Sequence, residues 1–132
     1  MLFRSDDQRV ASFIEGLGHV LQQWGDDAAV IVSVDLAHVG KRFGDEEPLS
    51  SHFLERVERE DREFLEAAES LDADRLLSTI TKDNDARRLD GYPGIYTLLR
   101  ALPLREGKLL RYEQTPNYAA ESAVSFASMV FR

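Results

Sequence analysis

Ile31-Val32-Ser33-Val34-Asp35-Leu36-Ala37-His38-Val39-Gly40-Lys41-Arg42-Phe43-Gly44-Asp45 is the stretch on which the reading of this chain turns. The apolar run that feeds it, Ala28 to Val34, stops abruptly at Asp35, and His38 follows three residues later. Residues 28–35 are too few for a further helix and rich in β-branched Val and Ile. An almost continuous apolar run of this kind predicts a strand covered on both faces. Its end opens into a charged loop punctuated by Gly40 and Gly44. A buried strand that ends in Asp-x-x-His and opens into a glycine loop is how α/β proteins present polar chemistry at a sheet's carboxyl edge.

Upstream of this stretch, Ser5-Asp6-Asp7-Gln8 reads as a capping box. Behind it Val10, Phe13, Ile14, Leu17, Val20, Leu21 and Trp24 recur at three-four spacing, a single apolar helix face that Gly25 ends. Downstream, Pro48 precedes a helix over about 50–70 whose inner stripe is Phe53, Leu54, Val57, Phe64, Leu65, Ala68 and Leu71. Asp72 caps a shorter helix with Leu76, Leu77 and Ile80 inward. Residues 82–91 are polar and turn-rich. Pro93 fits the first turn of another helix, which Pro103 stops. Lys108–Gln114 and Ser122–Phe131 read as two strands separated by a turn at Thr115-Pro116-Asn117. The order helix, strand, three helices, two strands predicts an α/β layer arrangement with few strands for its helices. No repeat or linker divides the chain, so residues 1–132 form one domain.

At 132 residues the chain is long enough to bury a real core, and its 43% hydrophobic and 30% charged content is that of an ordinary globular protein. A net charge of −8 argues against a nucleic-acid or anionic-membrane partner, since both need a basic face. The basic residues are also interleaved with acids, as in Arg59-Glu60-Asp61-Arg62. The absence of cysteine excludes disulfides and thiolate metal sites. No run approaches the length of a membrane span and Met1-Leu2-Phe3-Arg4 lacks a signal-peptide core, so the cytoplasm is the expected compartment.

Asp35 and His38 are the leading candidates for chemistry. The carboxylate either orients the imidazole for general-base or metal-ligand duty, or caps loop amides above a packed histidine. Asp61 stands on the inner helix stripe four residues after Val57, where an apolar residue is expected. A lone acid there is costly unless it is paired or lines a cavity. It hydrogen-bonds His38, or steadies the strand-loop junction, or forms a salt bridge to Arg42, Arg87 or Arg88 that holds the glycine loop. Gly40, Lys41, Arg42 and Gly44 read as an anion cradle or as a tight turn with solvated charges; neither a Walker loop nor a dinucleotide fingerprint is present. His19 and His52 read as surface or boundary residues, and Ser125 and Ser128 as ordinary members of an alternating strand. A catalytic metal wants about three protein ligands. Here only His38 and Asp35 offer themselves.

The segment 33–45 also resembles the signature of Memo-like proteins, called component B of the AmmeMemoRadiSam system in prokaryotes. The resemblance continues through Asp61, through Arg87-Arg88-Leu89-Asp90-Gly91-Tyr92-Pro93-Gly94-Ile95-Tyr96-Thr97-Leu98-Leu99, and into Gly107–Tyr112 and Ser122–Ala127. It implies a partial α/β sandwich similar to class III extradiol dioxygenases, with a mixed sheet flanked by helices. It implies that Asp35 and His38 line the family's cleft, near Gly40, Arg42 and Asp61, with His38 as the metal ligand. The chain corresponds to the family's C-terminal half, and the two histidines of the N-terminal half have no counterpart in it. Thr115-Pro116-Asn117-Tyr118 lies where some members carry a cysteine ligand, and Asp90 where the family often has cysteine.

The expectation is therefore a truncated, non-enzymatic cleft or interaction module that completes its sheet by forming a homo-oligomer. The alternative is the half-site of a metal-dependent oxidoreductase, holding iron, copper or zinc only once a missing N-terminal half or another chain supplies the remaining ligands. Association with other AmmeMemoRadiSam components follows from the resemblance alone.

Overall fold

The computed structural model describes residues 7–132. Helix α1 (Gln8–Trp24) is capped by Asp7, whose carboxylate accepts the Arg9 amide at 2.9 Å. Ser5 and Asp6, the first half of the expected capping box, lie outside the described residues. The apolar stripe of α1 is only partly covered. Ile14, Leu17 and Leu21 are half-buried, whereas Phe13 and Trp24 are 62% and 60% exposed. Gly18 brings α1 onto the end of the fourth helix, since a Cβ there would stand 2.8 Å from the Ala101 carbonyl oxygen.

Helix α2 (Ser51–Glu69) begins where the Ser50 hydroxyl accepts the Phe53 amide, and it buries Phe53, Leu54, Val57, Phe64, Leu65 and Ala68. Helix α3 (Ala73–Thr81) is capped by the Asp72 carboxylate on the Arg75 amide. Helix α4 (Tyr92–Ala101) carries Pro93 in its first turn, where the missing N–H has no intrahelical partner to lose. These three helices meet over Phe64, Leu65, Leu76, Ile80 and Leu89, all fully enclosed. Burial of a side chain of that kind contributes about 1.5–3 kcal/mol, so this cluster is a main source of the fold's stability.

The sheet has three strands in the order β1–β3–β2: β1 (His38–Val39), β2 (Gly107–Asn117) and β3 (Ser122–Phe131). Both pairings are antiparallel, with His38 opposite Val124 and Asn117 opposite Ser122. The α/β class is as expected, but the sheet is antiparallel where a mixed one was anticipated.

Two expected elements differ. Residues 28–35 form no strand among the described residues. They run without helix, turn or bend, and no backbone hydrogen bond joins residues 29–35 to another described residue. Ladder pairing starts only at Leu36, whose amide reaches the Ser125 carbonyl at 2.9 Å. Nor is the run covered on both faces, since Ile31 is 87% exposed. β-Branched residues favour an extended chain, but a strand also needs neighbours for its amides and carbonyls. What lies beside residues 32–35 is the start of α4, so close that a Cβ on Gly91 would stand 2.6 Å from the Asp35 carbonyl oxygen. A helix offers no ladder. The second difference is at Thr115-Pro116-Asn117, which continues β2 rather than turning; the turn lies at 118–121. Pro116 is tolerated there because β2 is an edge strand.

Candidate functional site

The end of the apolar run is held from two sides. On one side, Ser125 of β3 exchanges backbone hydrogen bonds with residues 36 and 37: its carbonyl accepts the Leu36 amide and its amide donates to the Ala37 carbonyl at 3.0 Å. On the other, the His38 amide donates to the Arg87 carbonyl at 2.8 Å. His38 therefore projects from a fixed backbone. Its Nδ1 lies 3.2 Å from the Leu36 carbonyl oxygen and 3.3 Å from that of Arg88, and its ring meets Phe43 edge-on at 5.3 Å. Nε2 faces Asp35, with Oδ2 at 3.9 Å. The Asp35 side chain is largely solvated and that of His38 mostly covered. The structure thus brings the leading pair together at the mouth of the strand end.

The glycine loop is latched by its own acid. Gly40, at φ +105°, donates its amide to Asp45 Oδ2 at 2.7 Å, and Arg88 joins Asp45 Oδ1 at 2.8 Å while donating to the His38 carbonyl at 3.0 Å. A side chain at Gly40 would run into the Glu121 carbonyl oxygen, 2.3 Å from the ideal Cβ. The anion that this loop cradles is the Asp45 carboxylate. Arg42 is exposed and tied to β3's approach through its backbone amide on the Glu121 carbonyl.

Asp61 is fully enclosed, and its partners are Arg87, Tyr112 and Ser125 rather than His38. Oδ1 takes the Arg87 guanidinium; Oδ2 accepts the Tyr112 hydroxyl at 2.9 Å and the Ser125 hydroxyl at 2.5 Å. Arg87 is itself buried, with Nε 3.0 Å from Glu60 Oε2. Burial pushes the Asp61 carboxyl above its usual range, while the Ser125 hydroxyl, the Arg87 guanidinium and the Tyr112 hydroxyl pull it back. Burial, and then the adjacent Asp61 charge, push the Tyr112 phenol upward. Of the three arginines considered for Asp61, Arg87 makes the bridge, and Arg88 holds the glycine loop through Asp45 instead. Tyr112 and Ser125 escaped the sequence reading. A lone serine in an alternating strand gives no sign of its partner, and the one available clue was the acid out of place on the α2 stripe.

His19 and His52 are exposed, as expected of surface residues. Among the described residues, no group of three or more His, Cys, Asp or Glu side chains stands close enough to hold a metal. Asp35 and His38 are two donors without a third. The residues present do not by themselves fit a bound metal ion.

The domain is a helical layer on an antiparallel sheet, with an Asp-x-x-His pair at the end of an uncovered apolar run. Residues 1–130 match the family described as Memo-like protein, and the chain belongs to that family. It is similar to a MEMO1 family protein of Aquifex aeolicus, 34% identical over 105 residues, covering 77% of this chain and 26% of that one. It is likewise similar to a MEMO1 family protein of Thermus thermophilus, 33% identical over 101 residues, covering 76% of this chain and 30% of that one. The matched region thus spans between a quarter and a third of the length of these curated relatives. No helix among the described residues is long and apolar enough to cross a membrane.

Proposed function

We propose that the chain is an interaction module of the Memo-like family that completes its sheet by self-association along residues 28–35. The observation that carries this reading is the run 29–35 itself: unbent, apolar, and without a backbone partner among the described residues. An edge with free amides and carbonyls is a template for adding a strand. Open apolar hollows of about 730 Å³ and about 450 Å³ adjoin the run, one bounded by Phe13, Leu17 and Pro93, the other by Leu104, Met129 and Phe131. A second copy suits this surface because Ala28 to Val34 carries no charge in a chain of net charge −8, so two such edges meet without like charges at the seam. Antiparallel pairing centred on Val32 also sets Asp35 opposite Ala29 and keeps it clear of Asp26 and Asp27. Registers that face Asp35 with Asp26 or Asp27 are disfavoured, because like charges facing each other across strands are destabilising.

Sedimentation velocity over a wide concentration range tests the reading. The expected result is a dimer that Ile31→Asp abolishes, since a charge at the seam would be buried without a partner. A chain that stays monomeric at every concentration and unfolds in one cooperative transition overturns it.

A second reading, the half-site of a metal-dependent oxidoreductase, is favoured by the Asp35–His38 pair and by the short span of the relatives that the chain covers. In that case the remaining ligands come from another polypeptide segment. This chain's part is to hold the His38 imidazole and the Asp35 carboxylate on one wall. Cytoplasmic residence and association with AmmeMemoRadiSam components accompany either reading.

A further inference from the structure

We propose that Ser125 and Asp61 are positioning residues for His38: through the backbone of residues 36–38 they fix the imidazole as its Nδ1–H tautomer, leaving the Nε2 lone pair presented beside Asp35. The inference stands whether or not the chain self-associates.

The direction of the hydrogen bonds carries it. Asp61 is fully enclosed, and its carboxylate can only accept from the Ser125 hydroxyl at 2.5 Å. The Ser125 proton is thereby committed, which leaves the Ser125 oxygen to accept the Ala37 amide at 2.9 Å. The same carboxylate holds Arg87, whose main-chain carbonyl accepts the His38 amide. The Ala37 and His38 amides thus both lead back to Asp61, one through a serine hydroxyl and one through an arginine. The Leu36 amide goes to the Ser125 carbonyl. No amide from 36 to 38 is left to let the segment turn.

The consequence falls on the imidazole. The carbonyls of Leu36 and Arg88, each next to one of these anchored groups, converge on Nδ1 at 3.2 and 3.3 Å. Carbonyl oxygens accept and never donate, so Nδ1 carries the hydrogen. Nε2 is then an acceptor. Its neighbour Asp35 Oδ2, at 3.9 Å, is beyond hydrogen-bond reach and solvated. A site of this form takes a hydrogen-bond donor at Nε2, with the solvated Asp35 carboxylate as a second acceptor. An imidazole with the opposite tautomer would offer no acceptor at Nε2.

Long-range proton–nitrogen correlation spectra of the uniformly labelled chain, at about pH 8 and so above the ordinary imidazole range, read the tautomer directly. The exposed His19 and His52 serve as internal references in the same spectrum. His38 is expected to give the Nδ1–H pattern, the references mainly the Nε2–H pattern of free histidine. Ser125→Ala removes the acceptor for the Ala37 amide and is expected to move His38 toward the mixture shown by His19 and His52. Ser125→Thr, which keeps the hydroxyl, restores the native pattern. If Ser125→Ala does not fold, Ser125→Cys keeps the volume with a weak acceptor and should give an intermediate pattern. A loss of stability alone would not change the tautomer of a folded protein. An Nε2–H pattern for native His38, or an Nδ1–H pattern that survives in folded Ser125→Ala or Ser125→Cys, overturns the proposal.

Discussion

Two ends of one short stretch show opposite treatments of the backbone. From Leu36 to His38 every amide has a partner, and behind those partners stands a buried carboxylate. From Ala29 to Asp35 none has a partner among the described residues, and Ile31 faces outward. The first region spends buried charge to fix a side chain. The second leaves apolar surface and hydrogen-bonding groups uncommitted. Rigidity therefore belongs to the His38 end and the proposed association to the other, and a change at one should leave the other largely untouched.

The largest effect expected from breaking this contrast is at Asp61. Asp61→Ala strands the Arg87 guanidinium in the interior and removes the acceptor of two hydroxyls, for a loss of about 3–5 kcal/mol in denaturant unfolding. A loss below about 1 kcal/mol would mean that water reaches the network. Next comes Tyr112→Phe, which deletes one hydrogen bond to a charged group and should cost about 1.5–3 kcal/mol at neutral pH. This change also has a signed pH dependence. The Tyr112 phenol is raised in the folded state above the ordinary value of about 10. Its contribution is therefore fully present below pH ~10 and is lost as pH rises through and beyond that value. Native protein should lose stability in that alkaline window and Tyr112→Phe should lose less; parallel curves would remove Tyr112 from the account. The smallest effect sharpens the contrast from the other side. Ile31→Asp, measured on the monomer, should alter folding stability by no more than about 0.5 kcal/mol, as expected of an exposed position.

The helices were legible because their signals are local. Asp72 caps as its side chain dictates, Pro93 sits in a first turn, and Gly25 ends α1. Asp61 was legible as a misfit, and the pairing to an arginine followed from the cost of burying a lone charge. The run 28–35 misled because composition reports conformational preference and is silent on whether a neighbouring strand exists. Pro116 misled for the converse reason: a proline reads as a break until the strand containing it is known to lie at an edge. The hydroxyls of Tyr112 and Ser125 were invisible because their partner is 51 and 64 residues away.

The proline in β2 also bears on valency. The sheet has one border next to the unpaired run and another along β2, where residue 116 can never donate an amide and the register slips between Leu109 and Arg111. A strand border interrupted in this way resists extension by further chains. In the proposed self-association, growth would run from the side of the unpaired run, and two copies joined there about a two-fold axis would consume each other's uncommitted edge. A closed pair rather than a filament is what the proposed association predicts, so an uncovered apolar border need not make this protein a fibre former.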